Sequence, residues 1–187
     1  MYFTRLETKC PQKLSHDEVV SYMLENKTLY EALTTRRKAY YDYDSYDLSE
    51  PITKLVPKLL ASIRETYPFD EKTKIYTFLN EQNKNGKPFR SMHFVVSKFA
   101  GPVCNIPRID GFDRAVYGMP SQKWRPPYCA KSPSDVRFLS RYENGVLYST
   151  AREAMEKLNE KVGDWLVGAL DSEDLIELPD ILDELKA

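Results

Sequence analysis

Two aspartates spaced two residues apart are the first residues in this sequence that could do chemistry. They are Asp42 and Asp44, at the end of the aromatic stretch Lys38–Asp44. Alternate side chains of a β-strand point to opposite faces, so the two carboxylates would share one face and Tyr41 and Tyr43 the other. A divalent cation with oxygen ligands is a common reason to keep two such charges together. On this stretch alone, a solvated acidic strand end is the more common explanation of the pattern, because runs of charge are usually exposed.

Further polar candidates lie in two later segments. Ser91 and His93 show the same spacing inside an apolar run, and Asp113 is followed by Arg125 and Lys131. A third carboxylate near the first two could complete a two-metal site. The serine, the histidine and the two cations are groups that bind and neutralise a triphosphate. Each residue also has a structural explanation: a hydrogen-bonded strand histidine, a capping aspartate and surface cations.

The elements that must position these residues alternate between helices and strands. We predict strands at 38–44, 75–79, 91–96 and 136–142. Helices are predicted from a capping box at Ser15 to about 26, from Pro51 to about 67, over 151–170 and from Pro179, with an extra helical turn at 29–33. Residues 83–88 are typical of a hairpin loop, and Asn144–Gly145 predicts a turn. The pattern favours an α+β or α/β sandwich fold with a sheet covered on one face.

Composition and charge narrow the class of protein. The 187 residues include no long apolar run, and the N-terminus has no apolar signal core, which predicts an intracellular protein without a membrane span. Three widely separated cysteines predict no disulfide framework and no zinc knuckle. Residues 1–150 hold 23 basic and 17 acidic side chains, whereas residues 151–187 hold 4 and 11. We therefore predict one domain over 1–170, compatible with a polyanionic partner, and an acidic tail or linker over 171–187.

Taken in order, the three segments resemble the motifs of the archaeo-eukaryotic primase superfamily, particularly its viral and primase-polymerase branch. That family has an acidic D-x-D or D-x-E motif at the end of an apolar strand, an S-x-H strand, and an h-D-x-x-V-Y motif followed by an Arg and, six residues later, a Lys. The matching segments here are Tyr41–Asp44, Ser91–His93 and Phe112–Tyr117, followed by Arg125 and Lys131. The resemblance covers roughly residues 36–142.

The resemblance implies a fold and an activity. The fold is a catalytic core with an antiparallel sheet of the RNA-recognition-motif type, joined to a smaller α/β element. The activity is template-directed nucleotidyl transfer from (d)NTPs, with Mg²⁺ or Mn²⁺, on single-stranded DNA during replication or primer synthesis. A replicative helicase domain or protein is an implied partner, and a virus-encoded origin with action in the cytoplasm or nucleus fits this branch. The metal ligands would be Asp42, Asp44 and Asp113, and the triphosphate ligands would be Ser91, His93, Arg125 and Lys131.

The sequence also departs from the family pattern. Relatives often have a Lys two residues before the motif serine, where this chain has Phe89. Either Lys87 or Arg90 replaces that contact, or the contact is missing. No cysteine and histidine cluster is present that could support an accessory priming region, which favours primer extension over unaided priming. Asp110 is the weaker alternative to Asp113, since only Asp113 has Val-Tyr at the required offset. Arg36 and Arg37 are candidates for additional phosphate or template contacts.

Two other functions remain open from the sequence. Carboxylates and a histidine on a sheet would also serve a metal-dependent nuclease or a nicking replication initiator. A nicking enzyme usually carries paired histidines, whereas this chain has only His16 and His93, far apart. The third hypothesis is a non-catalytic single-stranded nucleic-acid-binding module, in which some of the 13 tyrosines would stack on bases. A P-loop ATPase is excluded because the G-x-x-x-x-G-K-[ST] motif is absent.

Overall fold

The fold is a mixed α+β architecture with two sheets and few helices. The computed structural model describes residues 1–5, 10–68, 73–82, 84–118, 123–171 and 174–180. The strands are β1 (Tyr2–Thr4), β2 (Gln12–Lys13), β3 (Tyr30–Ala32), β4 (Arg36–Ser45), β5 (Ile75–Glu81), β6 (Arg90–Pro102), β7 (Lys123–Trp124), β8 (Ser140–Glu143), β9 (Val146–Leu147) and β10 (Ile176–Glu177). The helices are α1 (His16–Leu24), α2 (Ile52–Thr66), α3 (Ala151–Leu158) and α4 (Val162–Trp165), with two short 3₁₀ turns at Val103–Asn105 and Ala115–Tyr117.

Strand β6 is the centre of the larger sheet. Strand β4 pairs with it antiparallel along one edge, and β5 pairs antiparallel along the first half of the other edge. Strand β10 continues that second edge in a parallel pairing, and β8 and β9 extend the sheet beyond β5. The smaller sheet has the order β2–β1–β3–β7 and is antiparallel throughout. The long β4–β6 pairing therefore holds two of the three motif segments side by side.

Several predicted elements are confirmed. Strands β4 and β5 and helix α2 lie where the sequence patterns place them, and Ser15 begins α1 with the predicted capping box to Glu18. Of the predicted 83–88 loop, the described residues 84–88 lie between the antiparallel strands β5 and β6, and the Asn144–Gly145 turn joins β8 to β9. Strand β6 continues to Pro102, six residues past its predicted end. The helical turn predicted at 29–33 is wrong, because that segment forms β3 between β1 and β7.

The single helix predicted over 151–170 is also wrong. Helix α3 ends at Leu158, its C-cap residue Asn159 has left-handed backbone angles, and a separate short helix, α4, follows. The next residue, Glu160, is buried and accepts hydrogen bonds from Arg141 Nε at 2.8 Å and Trp165 Nε1 at 2.9 Å. An unpaired buried carboxylate would be costly, so this contact favours breaking the helix over continuing it. The predicted strand at 136–142 is similarly reduced, because β8 begins only at Ser140.

The two faces of the larger sheet are both covered around β4. On one face, Tyr41 packs against Phe112 and Tyr67, with ring centroids 5.3 and 6.4 Å apart. On the other, Tyr40 packs against Trp124 of the smaller sheet, with centroids 4.8 Å apart. The prediction that one face alone is covered is therefore wrong. The alternation of tyrosines and aspartates is as predicted: Tyr41 is on the face opposite the acid pair.

Part of the acidic C-terminal segment is attached to the sheet. Strand β10 pairs with Phe99 and Ala100 of β6, and Leu178 is buried. A Cβ atom on Gly101 would lie only 3.1 Å from the Leu178 side chain, so glycine permits this close approach. The helix predicted from Pro179 falls largely on residues 181–187, outside the described residues. Among the residues that the structure describes, no helix has both the length and the apolar character needed to cross a bilayer.

Candidate active site

The register of β4 and β6 brings the first two motifs together. Asp42 lies opposite His93, and Asp44 lies opposite Ser91. Residues directly opposite in an antiparallel pair point to the same face, and so do residues two apart on one strand. The four side chains therefore form two successive cross-strand pairs on a single face. Strand formation itself is favoured by the aromatic residues Tyr41, Tyr43 and Phe94 that alternate with them.

Asp113 joins the acid pair from a loop. Its backbone N–H donates to the Asp42 carbonyl at 2.8 Å, and its side chain accepts from the Ala115 N–H at 2.9 Å. One carboxylate oxygen from each of Asp42, Asp44 and Asp113 lies within 4.8 Å of the others. Asp110 instead forms an exposed ion pair with Arg114 at 2.9 Å. Of the two aspartates weighed from the sequence, Asp113 is the one that reaches the acid pair.

Asp42 is the electrostatically unusual member of this acid cluster. It is buried, and within the described part of the chain its Oδ1 atom has no hydrogen-bond partner. Burial, followed by the charges of Asp44 and Asp113, raises the pKa of Asp42 to about 8. A buried carboxylate oxygen without a donor, beside two further carboxylates, matches the oxygen ligands that Mg²⁺ and Mn²⁺ prefer. The three residues therefore fit a hard divalent cation.

His93 is held as a neutral imidazole beside the acids. Its ring stacks on Trp124 with centroids 3.8 Å apart and an interplanar angle of 22°, and its Nε2 lies 3.5 Å from Asp42 Oδ1. Burial, with a smaller effect of the Arg125 charge, lowers the pKa of His93 well below its usual range. A neutral imidazole can still donate one N–H to a bound anion. Trp124 was not identified from the sequence, because nothing in a two-residue strand signals a stacking role.

The predicted phosphate ligands line one cavity together with the acids. This cavity has a volume of about 170 Å³. Six of the seven residues predicted for the site line it: Asp42, Asp44, Ser91, His93, Arg125 and Lys131. The seventh, Asp113, reaches it through the acid cluster. Four further residues line the cavity and were missed in the sequence: Asn80, Lys84, Phe89 and Arg137.

The cations enter the cavity from the segment that follows β7. Arg125 is half-buried, and its Nη1 donates to the carbonyls of Arg137 at 2.5 Å and Cys129 at 3.4 Å. Lys131 is exposed, and its carbonyl accepts a hydrogen bond from Tyr30 Oη at 2.7 Å. These bonds position the backbone of the segment while leaving two positive charges at the cavity. Charge of that sign beside the acids suits a polyanion that also carries a cation.

Three expectations about nearby basic residues are corrected. Arg90 is buried and its Nε donates to Glu81 at 2.6 Å, so it cannot replace the family lysine. Lys87 is exposed and does not line the cavity. Arg37 is fully buried, and its Nε donates to the Thr34 carbonyl at 2.6 Å, which prevents contact with a template. Arg36, the remaining template candidate, is exposed and forms an ion pair with Glu177, and its template contact stays a prediction.

The register of β5 and β6 is a signal that could have located one of the missed cavity residues, Asn80, from the sequence. Asn80 of β5 lies opposite Ser91 and donates to the Phe138 carbonyl at 2.7 Å. Once the 83–88 loop is taken as a hairpin, counting outward along both strands places Asn80 near the S-x-H motif. Lys84 belongs to the same hairpin. Arg137 could not have been found in this way, because it lies in an irregular segment.

A larger cleft of about 660 Å³ lies elsewhere, around Lys38, Tyr76 and Asp164. Its lysines are balanced by aspartates, and the acid cluster is not part of it. Volume alone therefore does not identify the site. The smaller cavity combines the clustered carboxylates with basic side chains, the two kinds of group that a cation and a phosphate would need. A scan against protein-family models and a search of curated protein sequences both find no match for this chain.

Proposed function

We propose that this chain is the catalytic domain of a DNA primase or polymerase of the archaeo-eukaryotic primase type. It would transfer nucleotides from (d)NTPs onto a strand paired with a single-stranded template. One observation carries the proposal: three sequence segments that resemble the family motifs converge on one small cavity, with acids and cations together. A chance scatter of surface charges would not be expected to place six of seven such residues around one cavity.

The fold implied by the resemblance has two parts, and we assign one of the two sheets to each part. The larger antiparallel sheet would be the part similar to an RNA-recognition motif, and the smaller sheet with α1 would be the attached α/β element. In support, the cavity receives Asp42 and His93 from the larger sheet, whereas Arg125 directly follows β7 of the smaller one. An active site between two such elements can bring separate groups to one substrate.

The chain's own residues have distinct proposed roles. Asp42, Asp44 and Asp113 would hold Mg²⁺ or Mn²⁺. When bound, these ions would stabilise charge on the attacking and leaving oxygens. Asp42 must first release its proton, because its raised pKa leaves it mostly protonated at neutral pH.

The remaining residues would bind the triphosphate. His93, fixed by its stack on Trp124, would donate an N–H to a phosphate oxygen, and the Ser91 hydroxyl would do the same from the next cross-strand pair. Arg125 has a planar guanidinium that can bind a phosphate with two N–H groups, while Lys131 supplies a compact charge. Orientation and charge neutralisation of this kind supply most of the catalysis in phosphoryl transfer.

The proposed partners follow from the reaction. They are a single-stranded DNA template, (d)NTPs and a replicative helicase domain or protein. A template-directed enzyme acts where its nucleic acid is found, so the proposed location is intracellular, in the cytoplasm or nucleus.

A strand-synthesis assay tests the proposal directly. The purified chain is incubated with primed or unprimed single-stranded DNA, NTPs or dNTPs, and Mg²⁺ or Mn²⁺. We expect primer extension that is lost in Asp113→Asn and His93→Ala. Asp110→Asn is the matched control, because Asp110 is three residues from Asp113 and outside the acid cluster.

The same assay separates the other two hypotheses. Cleavage of the template without added nucleotide would indicate a metal-dependent nuclease. Template binding by the wild-type chain without synthesis or cleavage, and retained in Asp113→Asn, would indicate a binding module. Either result would contradict the proposed polymerase.

A further inference from the structure

We propose that Lys84 is an additional phosphate-binding residue of this cavity and that it selects a triphosphate over shorter phosphates. The inference rests on the proposed function, because it deepens the account of the same site. Lys84 lines the cavity together with Asp44, Ser91 and Lys131. It belongs to none of the motifs identified in the sequence.

The backbone holds Lys84 at a fixed place. Lys84 and Lys87 exchange backbone hydrogen bonds of 2.8 and 3.0 Å at the end of the β5–β6 hairpin. Between them, Asn85 and Gly86 have positive φ values of 52° and 75°. Two left-handed residues in succession form the tight turn that matches the twist of the flanking strands. The side chain of Lys84 therefore starts from an ordered turn.

The Lys84 ammonium is not engaged by a carboxylate in the described residues. Its Nζ lies 4.6 Å from the centre of the Phe89 ring, a cation–π contact. Two other cations near the cavity are already paired, since Arg137 binds Asp135 and Arg90 binds Glu81. A cation–π contact is weaker than a charge-assisted hydrogen bond. The Lys84 ammonium would therefore bind a phosphate oxygen in the cavity in preference to the Phe89 ring.

The position of Lys84 assigns it to the far end of a phosphate chain. Phe89 comes just before the first residue of β6, on the side of Ser91 away from His93, and two residues of chain reach at most about 7 Å beyond Ser91. Lys84 rests on Phe89, so it faces the end of the cavity away from Asp42. A short phosphate held at the acids would not reach it, whereas a triphosphate extending past Ser91 would.

The size of the cavity supports a phosphate chain as its occupant. Sites that enclose a drug-sized ligand have volumes of about 300–1,000 Å³. The volume here is about 170 Å³. This cavity can take the phosphate part of a nucleotide, and the base and sugar must lie outside it. The residues that line the cavity would therefore distinguish ligands by the length of their phosphate chain.

Direct binding of inorganic phosphates tests the role of Lys84. The affinities of the full chain for Mg²⁺-tripolyphosphate, pyrophosphate and orthophosphate are measured by isothermal titration calorimetry. We expect Lys84→Ala to weaken tripolyphosphate binding about tenfold, the loss of one charge-assisted contact. Orthophosphate binding should be unchanged, and Lys84→Arg should retain most of the tripolyphosphate affinity. Lys87→Ala removes the same charge from the same turn, outside the cavity, and should change affinity less than about twofold.

Several results would overturn the inference. Equal losses in Lys84→Ala and Lys87→Ala would show a general effect of charge, and a wild-type chain without preference for tripolyphosphate would refute length selection. Because the titration contains neither template nor nucleotide, its outcome is separate from the strand-synthesis assay. Strand synthesis with unchanged binding in Lys84→Ala refutes Lys84 alone. A Lys84-dependent preference without strand synthesis refutes the polymerase alone.

Discussion

The aspartates at 42 and 44 and the cations at 125 and 131 face one cavity, but different kinds of structure hold them. The sheet wall, which we define as Asp42, Asp44, Ser91 and His93, is fixed by the continuous β4–β6 ladder. The loop wall, Asp113, Arg125 and Lys131, depends on individual hydrogen bonds. One of these joins Asp113 N–H to the Asp42 carbonyl, and another joins Tyr30 to the Lys131 carbonyl.

The difference in support between the sheet wall and the loop wall matches a difference in what their side chains do. The sheet wall brings an acid with a raised pKa next to a neutral histidine, an arrangement that costs stability and needs a rigid support. The loop wall carries positive charge on segments that can adjust as a phosphate enters. We therefore expect changes in the sheet wall, and in the loop-wall acid Asp113, to remove activity. Changes in the loop-wall cations Arg125 and Lys131 should weaken substrate binding.

The largest effect is expected in the sheet wall. Asp42→Asn keeps the shape of the side chain but removes a cation ligand, and should lower the rate of strand synthesis about 10³-fold. Its fold should be intact, because the amide has the shape of the protonated carboxyl that the raised pKa favours at neutral pH. Single-turnover primer extension and circular dichroism measure the two properties. A variant that is folded and fully active would show that the sheet wall has no catalytic role.

The second effect is the pH dependence of cation binding. Below about pH 8 the Asp42 carboxyl is mostly protonated, and a cation must displace that proton. Mn²⁺ affinity should therefore rise about tenfold per pH unit from pH 6 to 8, then level off. Titration of Mn²⁺ by calorimetry or electron paramagnetic resonance measures this slope. The slope should vanish in Asp42→Asn.

The same proton affects folding stability in the absence of cation. The pKa of Asp42 is about 8 in the folded chain against an ordinary value of 3.8, so the folded state binds the proton more tightly. Stability from this group is present at low pH and is lost as the pH rises from about 4 through 8. Asp42→Asn should therefore be more stable than the wild type at pH 9 by about 1–2 kcal/mol in urea unfolding. Equal stabilities at pH 9 would contradict the raised pKa.

A smaller effect is expected at Arg125 in the loop wall. Arg125→Lys keeps the charge but loses the planar guanidinium and the hydrogen bonds to the Arg137 and Cys129 carbonyls. The KM for the nucleotide should rise about tenfold with a smaller change in kcat, since phosphate binding is weakened. Steady-state primer extension at varied nucleotide concentration gives both constants. If kcat falls as steeply as in Asp42→Asn, the proposed division between the walls is wrong.

The smallest effect is expected at Tyr30, which supports the loop wall from β3. Tyr30→Phe removes only the hydrogen bond to the Lys131 carbonyl, and the KM should rise about three- to fivefold. The same kinetic assay measures it. Tyr22→Phe is a suitable control, because Tyr22 Oη is bonded to Arg5 rather than to the loop wall. Identical constants for both variants would show that Lys131 needs no support from Tyr30.

The sheet wall was more accessible to sequence reasoning than the loop wall. Period-two alternation around Asp42 and His93 predicts which side chains share a face, because strand geometry is local. The pairing of β4 with β6 and the approach of Asp113 to Asp42 are contacts between residues far apart in the sequence. Only the resemblance of the motifs suggested them. Lys84 and Trp124 were missed because their positions depend on a turn and on packing between sheets.

The errors in the predicted elements have the same origin. The stretch 151–170 has helical spacing throughout, yet Glu160 turns inward to Arg141, and the helix ends two residues earlier, at Leu158. The stretch 29–33 has no strong local preference, and pairing with β1 and β7 makes it a strand. Local sequence preference does not determine the secondary structure where a buried charge or pairing with a distant strand has the larger effect on the free energy of folding.

The attachment of β10 has a practical consequence for anyone who shortens this chain. Composition suggests a cut near residue 170, where the acidic segment starts. Such a cut would strip the partner strand from Phe99 and Ala100 and uncover the Gly101 backbone that Leu178 now shields. Open strand edges recruit other chains, so the shortened protein should self-associate at high concentration, whereas one that extends through Leu178 should not.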